Sequence, residues 1–398
     1  MDHDVLILGG GISGASFAHA CASAGLSILV AEKLGSAGGC LHSERLEDGY
    51  WFELGAHTCY NSYRSLLGAL EAHHALDKLL PRAKVPFRLL VGPRIKSIAA
   101  ELNILSLLLH APRILAGGKD GRTVKGYYAR LVGEGNYERV FGPLFAAVPS
   151  QRADEFPADM LFKKRERRTD LPRSFTLQGG LQTAADVLLD SPRVTLLLNA
   201  EAVAIERATE GFLVRFADGS ERRCRFLVLA VPPSVGATLL RASFPQAAAE
   251  LARILVTPVS SIGVVVPKEA TRVEPVAGII PLDDRFYSAV SRDTVPDPTF
   301  RGFAFHFKPT VTLDAGLAQI CQVLQVDRAK LEHVVQRQVV LPSPRLGHER
   351  IVQAVEQAIA DAPLFVTGNY FGGLAIEDCV LRSVAESARL LKAAGAAS

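Results

Sequence analysis

The chain has 398 residues, of which 48% are apolar and 21% charged. That composition is long enough and apolar enough for two packed domains, and it excludes a disordered or fibrous chain. Its 44 basic residues nearly balance 41 acidic ones, leaving +3, so it carries no electrostatic footprint for nucleic acid.

The first apolar run, Val5-Leu6-Ile7-Leu8, has strand length and passes into Gly9-x-Gly11-x-x-Gly14. An Ala-rich helical segment over 12–24 follows, Gly25 stops it, and a second strand over 27–31 ends at Glu32. Strand, glycine turn, helix, strand and acid form one βαβ unit of the Rossmann dinucleotide-binding type. Gly9 makes the tight turn, Gly11 lets backbone approach a pyrophosphate, and Gly14 lets helix and strand pack closely. The helix start at Ile12 and Ser13 offers free N–H groups and about half a positive charge. Glu32, followed by Lys33, is the carboxylate expected to accept from ribose hydroxyls.

The segment 66–171 has helical periodicity with breaks at Pro81, Pro93, Gly117-Gly118 and Pro143, and is expected to be a helical insertion. Its most apolar part, 98–115, is too interrupted by Glu101, His110, Pro112 and Arg113 to span a bilayer. It is expected to be a buried or substrate-lining helix, with contact to a membrane surface as the alternative. The run Lys163-Lys164-Arg165-Glu166-Arg167-Arg168 reads as a solvated loop, or else as a lip that attracts anions.

From Ser174 the sheet pattern returns. Gly179-Gly180 precede a helix over 181–189, a strand covers 194–198, and Asp218-Gly219 turn a hairpin between 212–216 and 223–231. Between 256 and 341 short β-rich runs recur around one helix at 313–324. A strand at 364–367 and a helix at 376–391 close the chain. The six cysteines show neither CxxC nor metal-finger spacing, so no metal is expected. They read as reduced thiols of a cytoplasmic protein without a secretion signal.

Two further stretches decide which dinucleotide is bound. Gly38-Gly39 follows Glu32 by six residues, and Glu53-Leu54-Gly55-Ala56-His57 comes shortly after. Near the end stand Leu341-Pro342, Gly347-His348, and Gly368-Asn369-Tyr370-Phe371-Gly372-Gly373-Leu374-Ala375-Ile376-Glu377-Asp378-Cys379. These residues resemble the flavin amine oxidase superfamily, and the C-terminal stretch is similar to that of protoporphyrinogen oxidases. The resemblance implies an α/β fold in which a discontinuous Rossmann-type FAD-binding domain (1–65, 174–255 and 342–398) is interleaved with an α+β substrate domain. The latter joins the helical insertion 66–173 to the β-rich 256–341, in the glutathione-reductase-like or amine oxidase arrangement.

The same resemblance implies that FAD is held by Gly9, Gly11, Ile12, Ser13 and Gly14, by Glu32 and Lys33, and by Gly38, Gly39, Cys40, Leu41 and His42. It adds Gly55, Ala56 and His57, the backbone of Val203 at the adenine, and Gly368, Asn369, Gly373, Leu374, Ala375 and Ile376 on the flavin side. Arg45 and Ser43 are candidates for the ring or the diphosphate. Many relatives carry an arginine where this chain has Cys40. Glu377 and Asp378 read equally as helix caps or cofactor contacts. His57, Cys40 and Cys59 are the candidate catalytic residues. The implied activity is hydride removal from a CH–NH or CH–CH substrate, apolar or aromatic, with a porphyrinogen as the most specific choice. The alternatives are an amine or carotenoid-type substrate, a dithiol reaction at Cys40 and Cys59, a UDP-galactopyranose mutase reaction, and a flavin-binding partner without turnover.

Overall fold

A computed structural model describes residues 3–115 and 117–395. Val5-Leu6-Ile7-Leu8 and Ile28-Leu29-Val30-Ala31 are apolar without alternation because both faces of their sheet are covered. Four strands run parallel in the order Val194–Leu197, Ile28–Ala31, His3–Leu8, Glu221–Leu229. The last of these is shared. Its first half forms an antiparallel hairpin with Gly211–Phe216, which also pairs Ala202–Ala208, and its second half pairs Leu364–Val366 in parallel. Helices Ile12–Ser23, Gln182–Leu189 and Ile376–Ala394 cover one face. Pro233–Leu240, Pro245–Arg253 and His348–Ala358 cover the other.

The second sheet has the order His333–Pro342, Val256–Pro267, Phe300–Phe307, Ser288–Ser291, Gly278–Pro281, Phe87–Val91, Arg94–Ser97. Helix Leu313–Leu324 packs on one side of it. On the other side lies the hairpin of Ser43–Arg45 and Trp51–Glu53, whose Phe52 is 1% exposed. Gly263 and Gly302 make room for that ring: a Cβ on either would sit 2.5 or 2.8 Å from Phe52 atoms. The hairpin thus ties the nucleotide half to the second sheet.

Three expectations change. The segment 66–173 is not purely helical, since Leu79–Pro81, Phe87–Val91 and Arg94–Ser97 are strands. Phe87–Val91 pairs in parallel with Gly278–Pro281 and so belongs to the second sheet. Pro93 marks a turn there, with Gly92 at φ 58°, rather than a break in a helix. The third concerns the apolar part. It divides into short helices, and Ile104, Leu105, Leu108 and Leu109 of helix Ile104–His110 are between 54% and 69% exposed. That helix is therefore not a buried one. No described helix is long and apolar enough to cross a membrane.

A Cβ on Gly14 would land on the carbonyl oxygen of Gly9, a backbone atom that cannot rotate away. Gly14→Ala is expected to destabilise the protein by about 1–3 kcal/mol, the usual cost of overpacking a fixed core. Urea unfolding of the variant measures this, and an unchanged midpoint would contradict the close helix–strand contact.

Candidate active site

Three loops of the site begin where parallel strands of the first sheet end. His3–Leu8 delivers Gly9–Gly14, Ile28–Ala31 delivers Glu32, and Leu364–Val366 delivers Gly368–Gly373. The crevice outside the carboxyl ends of such strands is where ligands sit in open α/β sheets. Gly9 has φ 103° and presses against the carbonyl of Ala230. The helix beginning at Ile12 has Gly11 as its cap, no side-chain acceptor and no acid in its first turn. Its free N–H groups therefore await an external anion.

The double-glycine loop lies against this helix start. Gly38 donates to the carbonyl of Gly10 at 2.9 Å and bridges Gly11, while Gly39 lies against the Gly11 Cα. Ala56 donates to the carbonyl of Cys40 at 2.9 Å, and Gly55 leaves space for that same carbonyl. The start of the last helix joins them: Ile12, Ile376 and Cys379 share one core with partly buried Ala375 and Ala56, and Leu41 is buried beside them. The glycine turn, the Gly55-Ala56-His57 turn and the start of helix Ile376–Ala394 thus meet in one place.

Glu32 is 7% exposed, and its two oxygens accept from the backbone N–H of Gly10 (2.8 Å) and Leu34 (2.9 Å). It braces the turn, and each oxygen keeps a lone pair for a ribose hydroxyl. Lys33 is exposed. Val203 falls at a bulge where the ladder skips from Ala202 to Ala204, so its backbone groups lie outside the strand pairing. That is what backbone recognition of an adenine requires.

The glycines at the far end divide by role. A Cβ on Gly372 would meet open space, whereas one on Gly373 would meet the Asp378 carboxylate at 2.5 Å, and one on Gly368 the Tyr370 ring at 2.5 Å. Gly368 and Gly373, both candidates for the flavin side, are thus packed against the protein's own side chains, whereas Gly372 stays open. Asn369, Leu374 and Ala375 are partly buried nearby. Glu377 and Asp378 are both structural. Glu377 accepts from the N–H of Ser65 and Leu66 and caps helix Arg64–Ala72, while Asp378 accepts from Ala375 N at 3.3 Å. The basic run is an irregular, largely exposed loop, as expected, but three of its cations are tied down by ion pairs. Lys163 donates to the carbonyl of Gly372, Lys163 and Arg165 pair with Asp378, and Arg168 pairs with Glu71 and Asp170.

The candidate catalytic residues lack the required acid–base strength. Burial and the nearby charge of Arg82 pull His57 down to about 3, so its imidazole stays neutral at physiological pH. Burial raises the thiols of Cys40 and Cys59, both free, which is the reverse of an activated dithiol. Cys40 is nonetheless an exposed residue. Arg45 and Ser43 point away from the glycine cradle: Arg45 binds Gly179 O, Thr183 and Asp186, and Ser43 binds Glu53. His42 lies 3.5 Å from Glu44, and burial lowers its pKa.

Sequence reading missed Glu53, although the quoted Glu53-to-His57 stretch contains it, because one carboxylate in a strand carries no signal of burial. It is 8% exposed, lines a small pocket with His57, Trp51, Thr176 and Arg292, and accepts from Ser43 Oγ (2.6 Å) and Leu181 N (2.8 Å). Burial outweighs these donors and raises its pKa to about 7. Arg292 was also missed; it stands over the rings of Tyr50 and Trp51 at 4.6 and 4.5 Å, and its Nε is buried without a partner.

A family model described as an NAD(P)-binding Rossmann-like domain matches residues 7–70, and one described as flavin containing amine oxidoreductase matches 118–391. No curated protein sequence matches the chain. Among solved structures, a protein of Exiguobacterium sp. 255-15 provisionally assigned as a protoporphyrinogen oxidase superposes with TM-score 0.79 at 17% identity, covering 98% of this chain and 99% of its own. Cyclohexylamine oxidase from Brevibacterium oxydans IH-35A gives 0.71 at 15%, covering 99% and 100%. A reduced UDP-galactopyranose mutase gives 0.73 at 14%, covering 98% and 96%. At these identities the likeness shows the shared fold.

A carboxyl raised from 4.5 to about 7 favours its neutral form in the folded state. Its contribution to stability is complete below pH 4.5 and is lost as pH rises through about 7, on the order of 3 kcal/mol in all. The unfolding midpoint should therefore fall between roughly pH 5 and 8 in the native protein and stay flatter in Glu53→Gln. Parallel curves would remove the buried acid from the account.

Proposed function

Because this chain belongs to the flavin containing amine oxidoreductase family, whose pattern spans most of its length, we propose that it removes hydride from a carboxylate-bearing, conjugable substrate of the porphyrinogen kind. It is an FAD-dependent oxidoreductase, and its residues fit that cofactor. The uncapped helix start, with the double-glycine loop packed against it, would hold the pyrophosphate, and the unpaired backbone of Val203 would hold the adenine. When bound, FAD supplies the redox chemistry by accepting the hydride.

The observation that carries the substrate reading is the charge around His57. Arg292 lines the pocket and Arg82 acts on His57, yet neither forms an ion pair with a carboxylate among the described residues. Burial raises Glu53 to about 7, so much of it is protonated near neutral pH, and His57 is uncharged. Such a pocket repels a protonated amine and attracts a carboxylate, as the propionates of a porphyrinogen would supply. The protein's task is to orient a C–H bond and exclude water. Arg292, steadied by Tyr50 and Trp51, anchors the acid end, and Phe52, Val290 and Ala304 keep the pocket dry. The apolar face of helix Ile104–His110 supports the accompanying proposal that this protein meets a membrane surface.

Anaerobic addition of a porphyrinogen to the FAD-loaded protein should bleach the flavin spectrum, while putrescine and cyclohexylamine should leave it yellow. Arg292→Met should raise KM for the porphyrinogen about tenfold or more, as loss of a charged hydrogen bond does, with kcat less affected. Bleaching by the amines alone would overturn the reading. Interconversion of a UDP-sugar by the reduced protein would favour the mutase alternative, and a yellow protein that nothing reduces would favour a binding partner without turnover. In a separate assay, the protein should sediment with phospholipid vesicles and Leu105→Asp/Leu108→Asp should stay in the supernatant; equal recovery of both removes the membrane contact.

A further inference from the structure

Arg337 stands on strand His333–Pro342, whose alternation turns 333, 335, 337, 339 and 341 inward. Its guanidinium reaches across from the second sheet and donates to the carbonyl of Gly39 at 2.9 Å. That places it at the double-glycine loop, beside Cys40 and near Glu32, both of which act on its charge. Burial lowers its pKa.

Three features bear on the role of this arginine. It is half-buried, yet it forms no ion pair among the described residues, whereas the similarly enclosed Arg301, Arg382 and Arg165 pair with Asp293, Glu356 and Asp378. It uses one N–H of the five a guanidinium offers in the hydrogen bonds described. None of its nitrogens is among the buried polar atoms left without a partner, so the remaining donors reach solvent beside the double-glycine loop. A half-buried cation without a counter-charge, aimed at a glycine cradle, is a site for an anion.

The anion follows from the neighbours. The helix start at Ile12 offers about half a positive charge, and a pyrophosphate bridge carries two negative ones. The loop 38–42 adds no full cation, because Cys40 is a neutral thiol and burial lowers the pKa of His42. We propose that Arg337, supplied by the second sheet, is the cationic clamp of the FAD pyrophosphate. The proposal rests on the FAD assignment. It also gives the second sheet a role in cofactor retention as well as in substrate choice.

The test uses the full chain stripped of flavin, with FAD affinity read by quenching of flavin fluorescence. Arg337→Met should raise Kd about 10- to 100-fold, as loss of a charged hydrogen bond predicts, and should flatten the dependence of Kd on salt. Arg337→Lys should lie between. Cys40→Arg, placed in the Arg337→Met background, should restore affinity and salt dependence, because residue 40 adjoins the Gly39 carbonyl that Arg337 binds and lies close enough to act on its charge; a residue that merely braces Gly39 would not be rescued in this way. Thermal melts of the flavin-free variants check that each is folded. Affinity within twofold of native in Arg337→Met, or a loss that Cys40→Arg does not repair and that leaves the salt dependence intact, would overturn the clamp. A native protein that binds no FAD would instead overturn the assignment beneath it, so the two failures are separable.

Discussion

The organising constraint is the close passage of backbone against backbone at the carboxyl ends of the parallel strands. Gly9 passes against the carbonyl of Ala230, Gly14 against Gly9, Gly39 against Gly11, and Gly55 against Cys40. At each contact a side chain would collide with a fixed backbone atom rather than a movable one. These contacts bring four loops from distant parts of the chain into one wall. They also leave the first turn of helix Ile12–Ser23 free of any side-chain acceptor. A groove lined by N–H groups and lacking its own anions is stable only because water or a ligand can reach it.

Charge is distributed accordingly. Where a carboxylate stands near the groove its oxygens are already engaged: Glu32 holds Gly10 and Leu34, Asp378 holds Ala375, Lys163 and Arg165, and Glu377 caps a neighbouring helix. Arginines are left unpaired instead, with Arg337 at the double-glycine loop and Arg82 and Arg292 around His57. The consequence is positive charge at both places, and the charge at the double-glycine loop suits a cofactor with a pyrophosphate. The positive charge around His57, together with burial, keeps it neutral.

Local pattern was enough to read the first βαβ unit, because every residue in it has a mechanical duty within thirty positions: Val5 to Leu8 form a strand, Gly9 to Gly14 turn it, Glu32 returns to brace the turn. The C-terminal helix was legible for the same reason. The strands Phe87–Val91 and Arg94–Ser97 were not, since a run of four or five residues with a proline beside it fits a broken helix as well as a hairpin until its partner, Gly278–Pro281, is known. The basic run 163–168 is the exposed loop its charge suggests, but its ion pairs with Asp378, Glu71 and Asp170 were not legible because those partners lie outside the run.

What the sequence by itself determined is the nucleotide half: its glycine spacing, its acid, its FAD and its family, all of which depend on interactions close along the chain. What only the tertiary structure decided is the ionic state and purpose of single side chains. Whether Glu53 is buried, what Gly373 packs against, and where the guanidinium of Arg337 ends are questions of long-range packing. Two sheets separated by hundreds of residues must first be stacked through Phe52 before any of these groups acquires its neighbours, and burial and Coulomb forces act only on neighbours in space.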